Sequence, residues 1–224
     1  MEYQDCVKEQ NGGIETRSFA LVALAVFAVS EIISTLVFRY TEGKAYSCFV
    51  VLISLKTIII IWVIPLLIIY KIERRDIRSL GLFIPKDKYV VYFLYAVVTL
   101  ILPLLVVGYN SSYPIEFLEQ ILYIGLAEEV FYRGYLMTRM CQWLGKYSGL
   151  MITSLLFGLG HIISRVADQG IGYILPATYI GLQAFFGGLF FGFIYLRAKN
   201  IWATALLHIS TNMYLSSLIT LFYK

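Results

Sequence analysis

Three ionisable residues inside an apolar run constrain this chain more than any other feature. Ala127-Glu128-Glu129-Val130-Phe131-Tyr132-Arg133 lies within an apolar stretch from Phe117 to about Leu136. On insertion scales each charge at a bilayer centre costs about 2.5 to 3.5 kcal/mol, so three cost roughly 8 to 10 before pairing or neutralisation. The nine Leu, Ile, Val and Phe residues of the stretch return only about 0.3 to 0.6 kcal/mol each. Such a helix cannot stand alone in lipid. It needs polar partners within a helix bundle, and the only two histidines, His161 and His208, lie in other apolar segments.

The rest of the chain supplies that bundle. Of 224 residues, 59% are hydrophobic and 14% charged, with mean hydropathy +0.77, against about 45 to 50% apolar in soluble domains. Residues 1–17 form a polar, net acidic segment, and 18–224 read as a single transmembrane helical domain with no internal repeat. Its apolar runs are Ser18–Phe38, Phe49–Tyr70, Tyr89–Val107, Phe117 to about Thr138, Tyr147–Ile163, Pro176–Leu196 and Ile201 to about Leu221. Each has the length that a helix needs to cross about 30 Å of hydrocarbon. The fold class is therefore an all-α, polytopic membrane protein of about seven transmembrane helices. Pro65 is tolerable as a kink in the second, and the first reads as a retained helix because no basic segment precedes it.

The longest charged loop runs from Lys71 to Arg78 and on to Pro85-Lys86-Asp87-Lys88. Placing it inside puts twelve Lys and Arg on the inner side and four on the outer, the bias expected for an inside N-terminus. The net charge of +4 thus reflects topology, and no nucleic-acid partner is expected. Cys6, Cys48 and Cys141 share no ligand spacing and are expected as free thiols.

Residues four apart on an α-helix lie about 40° apart around the axis, whereas those five apart diverge by about 140°. Arg133 is placed to pair with Glu129, leaving Glu128 as the working carboxylate. One alternative is a charge cluster that only fixes helix packing. Phe157 and His161 share one helix face, as do His208 and Asn212. Together these groups suit hydrolysis of an amide: Glu128, with His161, takes a proton from water as it attacks, and His208 and Asn212 donate to the oxyanion. Zinc is the competing reading, with Glu128, His161 and His208 as ligands and water in the fourth position. No His-Glu-x-x-His pattern supports it, so no cofactor is expected.

The three motifs, Glu128-Glu129-x-x-x-Arg133, Phe157-x-x-x-His161 and His208-x-x-x-Asn212, span 127–212 and resemble those of the CPBP intramembrane proteases, also called CAAX prenyl proteases and bacteriocin-processing or Abi proteins. Leu80-Gly81-Leu82 and Asn200-Ile201-Trp202-Ala203 are also similar to the family. The resemblance implies a glutamic-type endopeptidase in which Glu128 and His161 activate water, His208 and Asn212 stabilise the oxyanion, and Glu129, Arg133 and Phe157 support them. It implies a membrane-associated peptide or protein substrate and a multi-pass protein of a prokaryotic cell membrane. Metalloprotease, bacteriocin immunity or scaffold, and transporter stay open as rivals, and a partner membrane protein is not identifiable.

Three smaller expectations follow. Ala184, Gly188 and Gly192 form a small-residue stripe for close helix packing. Glu31 and Lys56, at similar depth on neighbouring spans, are expected to form an ion pair. Tyr70, Tyr89, Tyr147 and Tyr223 are expected as interfacial anchors.

Overall fold

The computed structural model describes residues 14–84, 88–107 and 113–222, and among these no strand occurs. Residues 1–13 of the polar N-terminal segment with Cys6, residues 85–87 of the charged loop, and Tyr223 lie outside the described residues. The chain forms an all-helical membrane bundle. Among the described residues four helices, Glu15–Thr41, Ser47–Ile72, Lys146–Gln169 and Ile171–Ala198, are long and apolar enough to cross a membrane.

Helix α1 (Ile14–Thr41) buries Ala20, Ala23, Phe27, Ser30 and Ser34, a spacing of three and four that turns one stripe inward. Leu36 and Tyr40 on the other faces are exposed, as lipid contact requires. Helix α2 changes register repeatedly: Tyr46–Lys56 is α-helical, Thr57–Val63 π-helical, Ile64–Leu67 α-helical and Ile68–Ile72 π-helical. Pro65 sits in the first turn of the third piece, so its missing N–H falls where the bonding register is already changing.

Helix α3 is Tyr89–Val107, and the short α4 is Tyr113–Leu122. Helix α5 joins α-helical Gly125–Glu129, π-helical Val130–Met137 and α-helical Thr138–Leu144. The fourth apolar run is therefore not the single helix expected from hydropathy; it breaks at Ile124 (φ −120, ψ −91). The reason is crowding. A Cβ on Gly125 would lie 2.6 Å from Ile209 Cγ1 and 3.3 Å from the Gln120 carbonyl, so the chain restarts its helix where glycine admits the last helix.

Helices α6 (Lys146–Gln169) and α7 (Ile174–Ala198) form the closest pair. A Cβ on Gly158 would stand 2.6 Å from the Gly181 carbonyl. Lower down, Gly188 meets Ser154 and Gly192 meets Leu150 and Met137. The small-residue stripe is packing surface, as expected.

Helix α8 (Ile201–Phe222) is fixed at its start by the loop after α2. There Asp76 caps the 3-10 turn Ile77–Leu80 by accepting from the Arg78 N–H, and Gly81 ends it with φ +77. The Ile201 N–H donates to the Gly81 carbonyl (3.0 Å), Asn200 Nδ2 to the Phe83 carbonyl (2.6 Å) and Trp202 Nε1 to the Leu82 carbonyl (2.9 Å). Asn200 Oδ1 also accepts the Trp202 N–H at 2.8 Å. The two segments flanking the motifs thus dock on each other and set the register at which α8 presents His208.

Beneath this loop, Arg139 reaches Glu73 with Nε at 3.0 Å and Nη2 at 2.6 Å. Both side chains are fully buried. Cys48 and Cys141 are free thiols, and Tyr70, Tyr89 and Tyr147 are exposed at helix ends as anchors should be.

Candidate active site

Glu129 is the hub. It is wholly buried, and its Oε1 accepts from Arg133 Nη1 at 2.7 Å, the predicted pairing one turn along. The same oxygen lies 2.9 Å from His208 Nδ1 on α8, 79 residues away in sequence. One carboxylate therefore ties α5 to α8. A carboxylate only accepts, so His208 carries a proton on Nδ1 and turns Nε2 toward Glu128.

Glu128, one residue earlier, points elsewhere. Its Oε2 stands 3.8 Å from His208 Nε2, its side chain is 24% exposed, and among the described residues no hydrogen bond ties its carboxylate. The distance exceeds a hydrogen bond and leaves room for a reactant.

Aromatic rings frame these groups. His208 stacks on Phe191 at 4.8 Å and 22°, with Phe157 edge-on at 6.2 Å. The Arg133 guanidinium lies 4.7 Å from the Phe157 ring and 5.6 Å from that of Phe191, so a buried cation is held by two ring faces as well as by Glu129. Tyr132 packs edge-on against Phe157 at 4.8 Å.

His161 lies on the other side of Phe157, ring to ring at 4.6 Å. Its Nδ1 bonds to the Phe157 carbonyl at 2.9 Å, which makes Nδ1 the donor and leaves Nε2 free. His161 is thus bonded to its own helix, with no hydrogen bond or ion pair to Glu128 among the described residues. Asn212, one turn beyond His208, gives an Nδ2 hydrogen to Gln120 Oε1 at 2.9 Å. Gln120 is thereby the residue that orients the amide.

The structure brings Glu128, Glu129, Arg133, Phe157 and His208 into direct contact range, and joins His161 through Phe157 and Asn212 through α8. A zinc ion would need Glu128, His161 and His208 around one point. Among the described residues no three His, Cys, Asp or Glu side chains are so grouped. The Cys141 thiol is pushed up to about 12 by burial, which makes it a poor nucleophile.

Residues 110–214 match the family model described as type II CAAX prenyl endopeptidase, Rce1-like. That stretch, a little under half of the chain, is similar to an Rce1-like domain. The similarity agrees with the CPBP resemblance of the motifs, and the matched family is one of endopeptidases. All seven motif residues, from Glu128 to Asn212, fall inside the stretch, as do Phe191 and Gln120, which sequence reasoning missed. No curated protein and no solved structure matches the chain. Phe191 is one of 15 phenylalanines and carries no sequence signal of its own. Gln120, a lone amide on the turn before the helix break, was the more detectable of the two.

Proposed function

We propose that the chain is an intramembrane endopeptidase that hydrolyses a peptide bond of a membrane-associated protein or peptide with water activated at Glu128, without a metal. The observation that carries this reading is the asymmetry of the adjacent carboxylates. Glu129 is committed to Arg133 and His208, whereas Glu128 has free acceptors facing His208 Nε2 at 3.8 Å.

In the proposed reaction Glu128 accepts a proton from water as the water oxygen attacks the carbonyl carbon. His161, with its free Nε2, assists from the α6 side. The carbonyl becomes an oxyanion, which takes hydrogen bonds from Asn212 and from His208. To donate there His208 must carry protons on both nitrogens, and Glu129 against Nδ1 supports that form. The C–N bond then breaks, and Glu128 returns its proton to the leaving amine. The N-terminus lies on the cytoplasmic side in this reading, on the strength of the Lys and Arg bias.

The test is cleavage of a library of quenched fluorescent peptides by protein purified into proteoliposomes, with chelator present throughout. Wild type is expected to cleave a subset of peptides that Glu128→Gln does not. Cleavage by both alike, or activity restored only by added zinc, would overturn the assignment.

A further inference from the structure

Where α2 ends, the sequence places the charged stretch Lys71 to Arg78 directly after a membrane-crossing helix, Ser47–Ile72. A cavity of about 820 Å³ opens at that junction and shares no lining residue with the candidate active site. One side of it is Leu66, Leu67, Ile69 and Tyr70, all within the crossing helix, and the other carries Arg74, Arg75 and Asp76 from the segment that follows. Leu67 and Tyr70 are exposed, which on a crossing helix means contact with lipid. The cavity is therefore apolar toward the hydrocarbon and charged toward the headgroups.

That charge is positive and held in place. The Glu73 side chain is fully buried and takes two parallel bonds from Arg139, so its negative charge is already matched. Arg75, 3.8 Å from the same carboxylate, donates from Nη1 to Gln142 Oε1 at 3.1 Å, a neutral acceptor that positions the guanidinium without neutralising it. Asp76, the acidic residue of the wall, caps the Arg78 N–H at 2.8 Å and lies 3.8 Å from Arg78 Nε. Arg74 has no hydrogen bond or ion pair among the described residues. Its backbone is left-handed, with φ +51, because the helix ends in a reversal in which the Arg75 N–H donates back to the Ile69 carbonyl at 3.0 Å. Glycine takes such a position without strain. An unpaired arginine stands there instead.

We propose that this cavity binds an anionic phospholipid, with Arg74 and Arg75 on the headgroup phosphate and the acyl chains along Leu67 and Tyr70. A basic pocket at the end of a membrane span suits an anionic headgroup, and guanidinium forks match phosphate oxygens. Lys71, Arg74, Arg75, Arg78 and Arg139 outnumber Glu73 and Asp76, an excess that a zwitterionic lipid would not offset. The apolar wall within the span favours a lipid over a free anion, which has no use for it.

The test uses full-length protein stripped of lipid in detergent and titrated with phosphatidylglycerol, with phosphatidylcholine of the same chains, or with inorganic phosphate. Retained lipid is read by native mass spectrometry, alongside the melting temperature. Phosphatidylglycerol is expected to be retained and to raise the melting temperature, and the other two are not. Arg74→Gly is expected to bind phosphatidylglycerol about fivefold more weakly, the contribution of one basic residue at an anionic surface. Its melting temperature without lipid should be no lower than that of wild type, because glycine relieves the left-handed backbone, so binding and folding are separated. Arg197→Gln, which removes an exposed arginine from the last turn of α7, is the control and should bind as wild type does. Equal retention of the two lipids, wild-type binding by Arg74→Gly, or an equal loss in Arg197→Gln would overturn the proposal. A melting temperature raised as far by inorganic phosphate would make this a site for a soluble anion and overturn the lipid assignment.

Discussion

Glu129 and His208 meet at 2.9 Å across two helices whose contact residues are 79 positions apart. The contact occurs in the bundle interior, where an unpartnered carboxylate is expensive, and Arg133 on the same oxygen completes the neutralisation. Two adjacent glutamates thereby acquire different duties, and their substitutions should fail in different ways.

Glu129→Ala leaves Arg133 as a buried cation without its counter-charge, so a loss of about 3 to 5 kcal/mol is expected. Glu128→Gln, at a partly open position, should leave the melting temperature in detergent near wild type and abolish cleavage. Thermal unfolding of both variants alongside activity checks the division; equal stability of the two would contradict it.

The Glu73–Arg139 pair predicts an effect remote from the chemistry. Glu73→Ala should destabilise by about 3 to 5 kcal/mol, since a fully buried guanidinium loses its partner. Arg139→Lys should not preserve the fold, because one ammonium cannot reproduce the two parallel bonds at 3.0 and 2.6 Å. A lysine variant as stable as wild type would show that charge alone suffices.

Gly158→Ala drives a methyl group to 2.6 Å from the Gly181 carbonyl, a backbone atom that cannot rotate away. The expected cost is about 1 to 3 kcal/mol as α6 and α7 separate, with reduced cleavage because α6 carries His161. Gly187→Ala, which meets only the edge of the Phe191 ring at 3.9 Å, is the matched control and should be tolerated.

Phe191→Leu removes the ring stacked on His208 while keeping an apolar side chain. Aromatic contacts of this kind contribute about 0.5 to 1.5 kcal/mol, so a small stability loss is expected together with a several-fold fall in kcat at unchanged KM. A rise in KM alone would instead make Phe191 a substrate contact.

Much of this site is legible in the sequence because α-helical spacing is a local property. Glu129 with Arg133, and the three motifs in three apolar runs, follow from it. The break at Ile124 is not legible, because hydropathy records which residues avoid water and is blind to whether a carbonyl bonds four or five residues on. The π segments Thr57–Val63 and Val130–Met137 escape for the same reason. The depth argument for Glu31 and Lys56 predicts an ion pair, but no salt bridge joins them among the described residues: Glu31 Oε1 lies instead 3.4 Å from where a Cβ on Gly160 would stand, a contact that depends on how α1 packs on α6. Leu80-Gly81-Leu82 and Asn200-Ile201-Trp202 were visible as separate segments, whereas their mutual docking arises only in the folded bundle.

The most direct test of the central claim compares protein N- and C-termini, by mass spectrometry, in membranes of native cells carrying wild type or Glu128→Ala at matched expression. The account predicts that a defined set of termini disappears in the variant and that the uncleaved precursors accumulate, which would also name the substrates. Identical termini in the two membranes, under conditions where the wild-type protein has a phenotype, would contradict it.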